Sequence, residues 1–322
     1  VDPVRLGAWG TTFGRSNPRA NYHMVPSAFK ESGYKTAFFG KWHLGDNYPF
    51  RPGDKGFDHV LMHGGGGVGQ TPDYWGNDYF DDTYFLNGKH VKYSGYCTDV
   101  WFDEAMTYIE TKSKEPFFCY ISTNAPHSPF RVDKKYSDLY KNNPDVVNPQ
   151  YYGMITNSDE NMGRLMKHLK ERGIEENTIL IFLSDNGSAA GTKCKDNSDG
   201  IVEKGYSTGM RGRKGSYYEG GHRVPFFIRW PEGRIDGGRD INNLTAHIDL
   251  FPTLIDLCGL ENIEMNNTFD GISFASLLQR KAAKLPDRSI VVQYHQSSTP
   301  PKNWICTVMN DKWRLVYKDI LY

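Results

Sequence analysis

The chain has 322 residues, and its 38 lysines and arginines balance 38 aspartates and glutamates, so the formal net charge is zero. This length is enough to bury one large core or two smaller ones. The balanced charge gives no argument for nucleic acid or an anionic membrane surface as a bulk partner, and no stretch approaches the roughly 18 apolar residues of a membrane span. Any preference for an anionic substrate must therefore be local.

Helical patterns alternate with short apolar runs, which is typical of an α/β protein with a largely parallel sheet. The predicted helices span 24–32, 99–111, 150–172 and 248–258, and the predicted strands span 34–39, 117–122, 178–183 and 224–230. The strand at 178–183 is apolar on both faces, so we expect it in the middle of the sheet with helices above and below.

Two regions depart from this alternation. The stretch between Asp46 and Tyr96 is rich in Gly, Asp and Tyr and has little periodicity, which predicts a long functional loop over the substrate side. After Leu285, short β-like runs at 289–294, 304–309 and 313–317 predict the beginning of a small antiparallel subdomain.

The hexapeptide Gly40-Lys41-Trp42-His43-Leu44-Gly45 directly follows the first predicted strand. Its flanking glycines allow the backbone to turn sharply where the strand ends. In an extended segment Lys41 and His43 share one side, where the cation can hold an anionic oxygen and the imidazole can move a proton.

Two other predicted strands also end in polar residues, and ligand sites in open α/β sheets gather at the carboxyl ends of strands. His127, between two prolines, follows the strand at 117–122 and is either a proton donor or merely exposed. Asp185 and Asn186 follow the strand at 178–183. Their oxygens suit Ca²⁺ or Mg²⁺ better than zinc, although Asx-Gly after a strand also forms a simple tight turn.

A cluster of cations lies between glycines in Arg211-Gly212-Arg213-Lys214-Gly215. Such a cluster is either a solvated turn or an anion cradle in which Lys214 clamps a tetrahedral oxyanion. His222 follows the Glu219-Gly220-Gly221 turn, and we expect substrate selectivity there and in the 46–96 loop.

Five segments together resemble sequence blocks of the sulfatase family, and they occur in that family's order. They are GKWHLG at 40–45, APHSP at 125–129, SDNG at 184–187, RGRKGSYYEGGHRVP at 211–225 and DLFPTL at 249–254. The resemblance extends from about Val4 to Tyr317. It implies an alkaline-phosphatase-like three-layer sandwich, with a catalytic domain at 1–288 and the beginning of a C-terminal subdomain at 289–322.

The resemblance also implies a role for each matching residue. Sulfate oxygens would be held by Lys41 and Lys214, the divalent cation by Asp185 and Asn186, the catalytic hydrate by His43, and the ester oxygen by His127. From their position alone we expect Arg213 and His222 to bind the substrate. The implied cation is Ca²⁺, with Mg²⁺ as the second choice. Cations offset charge on the transferred group, and imidazoles titrate near neutral pH, so each residue type suits its task.

One part of the family pattern is missing. Family members use a formylglycine made from Cys or Ser in a C/S-x-P-x-R motif, and none of the five cysteines here is followed by x-Pro-x-Arg. In Ser16-Asn17-Pro18-Arg19 the arginine comes one place early. We therefore expect a fragment without the upstream nucleophile, without the paired N-terminal metal-binding aspartates and without most of the C-terminal subdomain, inactive by itself.

The leading hypothesis is a formylglycine-dependent sulfatase that acts on a sulfated glycan or aryl sulfate, with neither nucleic acid nor membrane as a partner. The resemblance implies a periplasmic, lysosomal or secreted location. Two alternatives remain open: a phosphodiesterase or phosphonate monoester hydrolase of the same superfamily, and a glycan-binding relative without catalysis.

Overall fold

The computed structural model describes residues 17–69, 76–112, 114–195, 199–261, 263, 268–293, 306–316 and 320–321. The serine of the near-miss nucleophile motif, Ser16, lies outside these residues. The chain divides into two compact units. The first unit comprises Val1–Tyr140, Pro149–Ile174 and Leu260–Thr268, and the second comprises Lys141–Asn148, Glu175–Gly259 and Phe269–Tyr322.

The first unit is built on a mixed sheet. Its helices are α1 (Val25–Glu31), α2 (Cys97–Lys112), α3 (Lys134–Ser137) and α4 (Pro149–Glu171), and a 3₁₀ turn spans Pro52–Lys55. Its strands are β1 (Lys35–Lys41), β2 (His59–His63), β3 (Thr83–Leu86), β4 (Lys89–Lys92) and β5 (Phe117–Ser122). Among the described residues the strand order is β4-β3-β2-β1-β5, with β1 parallel to both β2 and β5 and the other pairs antiparallel.

Both faces of this sheet are covered. On one face Phe39 packs in a cluster with Trp101 of α2 and Met154 of α4, and all three side chains are fully buried. On the other face Phe38 packs with Trp42 and Phe57. Alternate residues of β1 therefore enter two different cores, as expected for a strand between two helical layers.

The first unit confirms the strongest periodic predictions. The helix predicted at 150–172 is α4, the helix predicted at 99–111 is α2, and the strand predicted at 117–122 is β5. The 46–96 prediction was wrong, because this stretch contains three strands, β2 to β4. Asn87 and Gly88 join β3 to β4 with φ of 50° and 82°. Such an Asn-Gly pair favours a two-residue hairpin turn, so the sequence carried a signal for these strands.

The second unit has short elements. Its helices are α5 (Glu219–His222), α6 (Leu250–Cys258) and α7 (Ala275–Leu278), and a 3₁₀ turn, His247–Asp249, precedes α6. Its strands are β6 (Leu180–Leu183), β7 (Thr192–Cys194), β8 (Val202–Gly205), β9 (Phe226–Arg229), β10 (Ile290–Gln293), β11 (Cys306–Met309), β12 (Arg314–Val316) and β13 (Ile320–Leu321). The last four form an antiparallel sheet, as predicted for the C-terminal part.

The strand predicted to lie in the middle of a sheet, now β6, is placed differently. Within the residues that the structure describes, β6 pairs with β9 alone, and the pair is antiparallel. Phe226 and Ile228 pack with α6 and α7, whereas Phe182 and Phe227 on the opposite face are 40% and 66% exposed. The prediction of a strand covered on both faces was wrong for the described residues. Apolar residues on both sides of a strand do not by themselves ensure that a helix packs on each side.

None of the described helices combines the length and the apolar character that crossing a membrane would require.

Candidate active site

Lys41 lies at the carboxyl end of β1, opposite His63 of β2 in the parallel register. The preceding Gly40 has φ of 117°, and a Cβ there would lie 2.0 Å from the carbonyl oxygen of Ser122 in β5. Only glycine fits such a close approach of two strands. The glycine therefore lets β1 and β5 remain paired up to the residue before the lysine.

His43 does not share an extended segment with Lys41, so that prediction was wrong. The strand ends at Lys41, and Trp42 turns inward to donate its Nε1 hydrogen to the Phe50 carbonyl at 2.7 Å. His43 then has φ of 61°, in the left-handed region. Burial of the Trp42 indole requires the chain to leave the strand here. Positive φ in a non-glycine residue costs about 1–3 kcal/mol and is concentrated at functional sites.

His127 is held in the turn that follows β5. Its backbone N–H donates to the Asn124 carbonyl at 2.8 Å, and its own carbonyl accepts from the Tyr79 hydroxyl at 2.6 Å. The ring Nδ1 lies 2.7 Å from the Ser128 carbonyl oxygen. Because a carbonyl only accepts, Nδ1 carries a hydrogen, and Nε2 is the nitrogen that gains or loses the proton.

Sequence reasoning assigned no role to two residues beside this group, His63 and Asn124, although Asn124 begins the polar segment predicted after the strand at 117–122. His63 is fully buried and Asn124 is 3% exposed. The His63 Nδ1 lies 3.2 Å from the Asn124 Oδ1. Their contact has no sequence pattern, since it depends on the register of β2 and β5 on either side of β1.

In the second unit, Asp185 and Asn186 follow the end of β6. Asp185 is exposed, and its carboxylate accepts no hydrogen bond from the residues that the structure describes. The Asn186 amide nitrogen donates to the Gly187 carbonyl at 3.2 Å, which leaves Oδ1 as its outward oxygen. The preceding carbonyl, of Ser184, accepts from His247 Nε2 at 2.8 Å. His247 is a further contributor to this loop that the sequence did not reveal.

The loop with Arg213 and Lys214 is bound to the Asp185 loop by one backbone and one side-chain hydrogen bond, both to main-chain carbonyls. The Lys214 N–H donates to the Ser188 carbonyl at 3.0 Å, and an Arg213 guanidinium nitrogen donates to the Ala189 carbonyl at 3.2 Å. The Lys214 ammonium makes no ion pair with a described residue. The structure thus places an oxygen-donor pair and an uncompensated cation on adjoining loops.

Glycines allow these loops to approach so closely. A Cβ on Gly187 would lie 1.8 Å from the Gly220 carbonyl oxygen, and a Cβ on Gly220 would lie 2.1 Å from the Gly212 carbonyl oxygen. The Gly187 N–H also donates to the Gly221 carbonyl at 2.9 Å. The loop with Lys214, the Glu219-Gly220-Gly221 turn and the Asp185 loop are therefore stacked backbone on backbone.

His222 ends α5, and its Nε2 atom is buried with no hydrogen-bond partner among the described residues. Burial lowers the pKa of His222 below its ordinary value of 6.5, while the Tyr217 backbone and the Glu219 charge act in the opposite direction. A buried nitrogen without a partner is costly and calls for an explanation, such as a bound ligand. The prediction that His222 contacts substrate is consistent with this feature and untested by it.

The residues present fit a hard divalent cation in chemistry but supply only part of a site. Asp185 and Asn186 offer a carboxylate and an amide oxygen, which Ca²⁺ and Mg²⁺ prefer. No group of three or more His, Cys, Asp or Glu suited to a metal occurs within the described ranges. Ca²⁺ takes six to eight oxygens, so these two residues would be a minority of its ligands.

Family models match most of the chain. A model described as Sulfatase matches residues 2–260, and one described as N-sulphoglucosamine sulphohydrolase, C-terminal, matches residues 213–319. The uncharacterized sulfatase YdeN of Escherichia coli (strain K12) is 27% identical over 316 residues, which cover 89% of this chain and 52% of that protein. N-acetylgalactosamine-6-sulfatase of Canis lupus familiaris is 29% identical over 298 residues, 86% of this chain and 52% of that protein. The chain thus spans about half the length of these curated relatives.

Solved structures share the fold. The crystal structure of Ps i-CgsB in complex with k-i-k-neocarrahexaose matches with a TM-score of 0.80 and 25% identity, over 99% of this chain and 72% of that chain. The predicted fold class, an alkaline-phosphatase-like α/β fold with a mostly parallel sheet core and a small C-terminal antiparallel sheet, is confirmed.

Proposed function

The chain belongs to the sulfatase family, and on that premise we propose that the protein hydrolyses sulfate esters of a sulfated glycan or an aryl alcohol. The names of the relatives support this reaction, since one of them is an N-acetylgalactosamine-6-sulfatase. We also propose that the protein acts in the periplasm, in the lysosome or after secretion, where sulfated glycans occur.

The observation that carries the proposal is the stacking of the Asp185 and Lys214 loops. The Lys214 N–H donates to the Ser188 carbonyl, and Gly187 lies in close contact with Gly220. These two contacts hold the Lys214 cation and the side-chain oxygens of Asp185 and Asn186 on adjoining loops. A sulfate monoester is a tetrahedral anion whose charge shifts to the leaving oxygen during cleavage. Fixed cations stabilise that charge without reorganising, and in many enzymes such stabilisation accounts for most of the rate enhancement.

Each proposed role follows from what the side chain can do. Lys41 and Lys214 bind sulfate oxygens as point charges. His127, with Nδ1–H held by the Ser128 carbonyl at 2.7 Å, presents Nε2 as the site that gives a proton to the leaving oxygen. His43 supports the nucleophile, and Arg213 and His222 contact the alcohol part of the substrate.

Two chemical groups that sulfatases use, a divalent cation and formylglycine, are not among the residues of this chain. A divalent cation bound through Asp185 and Asn186 would neutralise charge on a sulfate oxygen as a Lewis acid. Formylglycine is the family's nucleophile, and the sequence contains no C/S-x-P-x-R motif from which it is made. The residues present therefore do not supply that group.

The test is sulfate release by the full-length protein from 4-nitrophenyl sulfate and from sulfated galactans. We expect release to exceed hydrolysis of 4-nitrophenyl phosphate and of a phenylphosphonate ester, and Lys214→Ala to lower kcat/KM by about 10²-fold or more. Lys193→Ala, on the exposed side of β7, is the matched control and should leave kcat/KM unchanged. Preference for the phosphorus esters, or full activity of Lys214→Ala, would contradict the proposal.

A further inference from the structure

His63 is a buried histidine that no role above uses. It ends β2, lies opposite Lys41 in the register and has no exposed surface. Its ring meets Tyr84 and Trp101 edge-on, with centroids 4.8 and 5.2 Å away. Burying a polar ring is costly unless its nitrogens find partners. His63 therefore destabilises the fold unless polar neighbours pair with its two nitrogens.

Polar groups face both nitrogens of this ring. Nδ1 lies 3.2 Å from the Asn124 Oδ1, and Nε2 lies 3.3 Å from the Asp82 Oδ2, within ion-pair distance although without hydrogen-bond geometry. Burial raises the pKa of Asp82, but His63 and the backbone N–H groups of Asp78 and Thr83 outweigh it, so the pKa is lowered overall. An ionised carboxylate thus faces Nε2, in the way that carboxylates stand behind histidines in many enzyme sites.

Asn124 faces the other ring nitrogen of His63. Its Oδ1 also faces the Trp101 Nε1 at 3.3 Å. An indole nitrogen can only donate, so the oxygen of the amide must be on this side and the nitrogen on the other. The Asn124 amide nitrogen would lie 2.6 Å from a Cβ on Gly67, and the Lys41 Cδ would lie 3.3 Å from the same atom. The amide and the stem of Lys41 thus border one glycine.

The same asparagine holds the other residue of the group. Its carbonyl accepts the His127 N–H at 2.8 Å, and Tyr79, fully buried, donates from its hydroxyl to the His127 carbonyl at 2.6 Å. Asn124 is therefore in contact with the turn that carries His127 and with the glycine that borders Lys41.

We propose that Asp82, His63 and Asn124 form a positioning chain, buried at His63 and Asn124, that sets the places of His127 and Lys41 for the reaction. The inference rests on the proposed sulfatase function. These residues do not touch the substrate and act through the two that do. Misplacing a reacting group by about 1 Å can cost about 10²-fold in rate, so such a chain has a kinetic effect apart from stability.

The kinetic test uses a series of aryl sulfates with leaving groups of rising pKa, from 4-nitrophenol to 4-methoxyphenol. Proton donation by His127 matters more as the leaving group becomes more basic. His63→Phe retains a ring between Tyr84 and Trp101 but removes both polar contacts. We expect it to lower kcat by about 30-fold for 4-methoxyphenyl sulfate and by no more than about threefold for 4-nitrophenyl sulfate.

Two further variants separate positioning from folding. His63→Asn keeps a donor near the Nδ1 position and should restore most of the loss. His59→Phe makes the same exchange at the opposite end of β2, where the histidine packs on Phe39 and Tyr108, and should not change the leaving-group dependence. An equal loss on all esters in His63→Phe, or no rescue by His63→Asn, would overturn the inference.

A second readout does not depend on sulfate hydrolysis. In protein labelled with ¹⁵N-histidine, the His127 ring signals should report a different tautomer balance and titration in His63→Phe, and remain as in the parent in His59→Phe. Unchanged His127 signals would overturn the positioning chain. If the parent protein cleaves no sulfate ester while the His127 signals shift, the proposed function fails and the positioning chain stands.

Discussion

The structure fixes its two groups of candidate residues by different means. In the first unit Lys41 and His127 depend on buried side chains, with Asn124 and His63 paired behind them. In the second unit the Asp185 and Lys214 loops depend on glycine backbones in direct contact. Side-chain networks can relax when one member changes, whereas two backbones in contact cannot move independently. The two groups should therefore respond differently to substitution.

Substituting glycines should give the largest difference in stability between the two groups of residues. Gly187→Ala places a Cβ 1.8 Å from the Gly220 carbonyl oxygen, so we expect a loss of about 3 kcal/mol in the free energy of unfolding. Gly67→Ala meets side-chain atoms of Asn124 and Lys41 that can move, and its φ of 90° should cost about 1–2 kcal/mol. Urea denaturation measures both.

Gly163→Ala is the control for this pair. Nothing lies within 4 Å of its Cβ position, and it lies inside α4, so the free energy of unfolding should stay the same or rise by up to about 1 kcal/mol. Should Gly67→Ala destabilise the protein more than Gly187→Ala, the contrast between the two groups is wrong.

The exposed carboxylate of Asp185 allows a second test of the difference between the two groups of residues. If Asp185 and Asn186 bind Ca²⁺, saturating Ca²⁺ at about 100 times its dissociation constant should stabilise the protein by about 2.7 kcal/mol and raise its Tm. Asp185→Asn should remove most of that rise, whereas Asp145→Asn, an exposed aspartate of the same unit, should not. Calorimetric scans with Ca²⁺ and with EDTA measure the effect. A Ca²⁺ response that persists in Asp185→Asn would contradict the metal assignment.

The smallest effect concerns the partly buried imidazole of His222. Burial lowers its pKa below 6.5, so the unfolded chain takes up this proton at higher pH than the folded protein. The free energy of unfolding should therefore fall as the pH drops through and below 6.5, and His222→Gln should flatten that slope. Denaturation curves between pH 5 and pH 8 test this, with the exposed His90→Gln as control. An unchanged slope in His222→Gln would contradict burial as the cause.

Sequence reasoning succeeded where one segment carries its own pattern. The apolar spacing of α4 and the buried run of β1 determine those elements locally. The same apolar runs placed the motif residues at the ends of strands, and the resemblance to sulfatases implied a role for each of them. The β3 to β4 hairpin was missed although Asn87-Gly88 encoded it, because low periodicity was given more weight than turn chemistry.

Other features were not readable from one segment. The contact between His63 and Asn124 joins residues 61 positions apart and exists only because β2 and β5 both pair with β1. The left-handed His43 results from burying Trp42 against Phe38 and Phe57. In both cases tertiary packing decides the outcome.

The glycine stacking of the second unit has a consequence for how this protein can change over time. Since Gly187, Gly220 and Gly221 fix the loop spacing through main-chain atoms, the side chains next to them can be exchanged while the loops stay in register. A position such as His222, whose side chain makes none of these main-chain contacts, is then free to diversify on a constant support. New preferences for the alcohol part of an ester can arise there by single substitutions without rebuilding the scaffold.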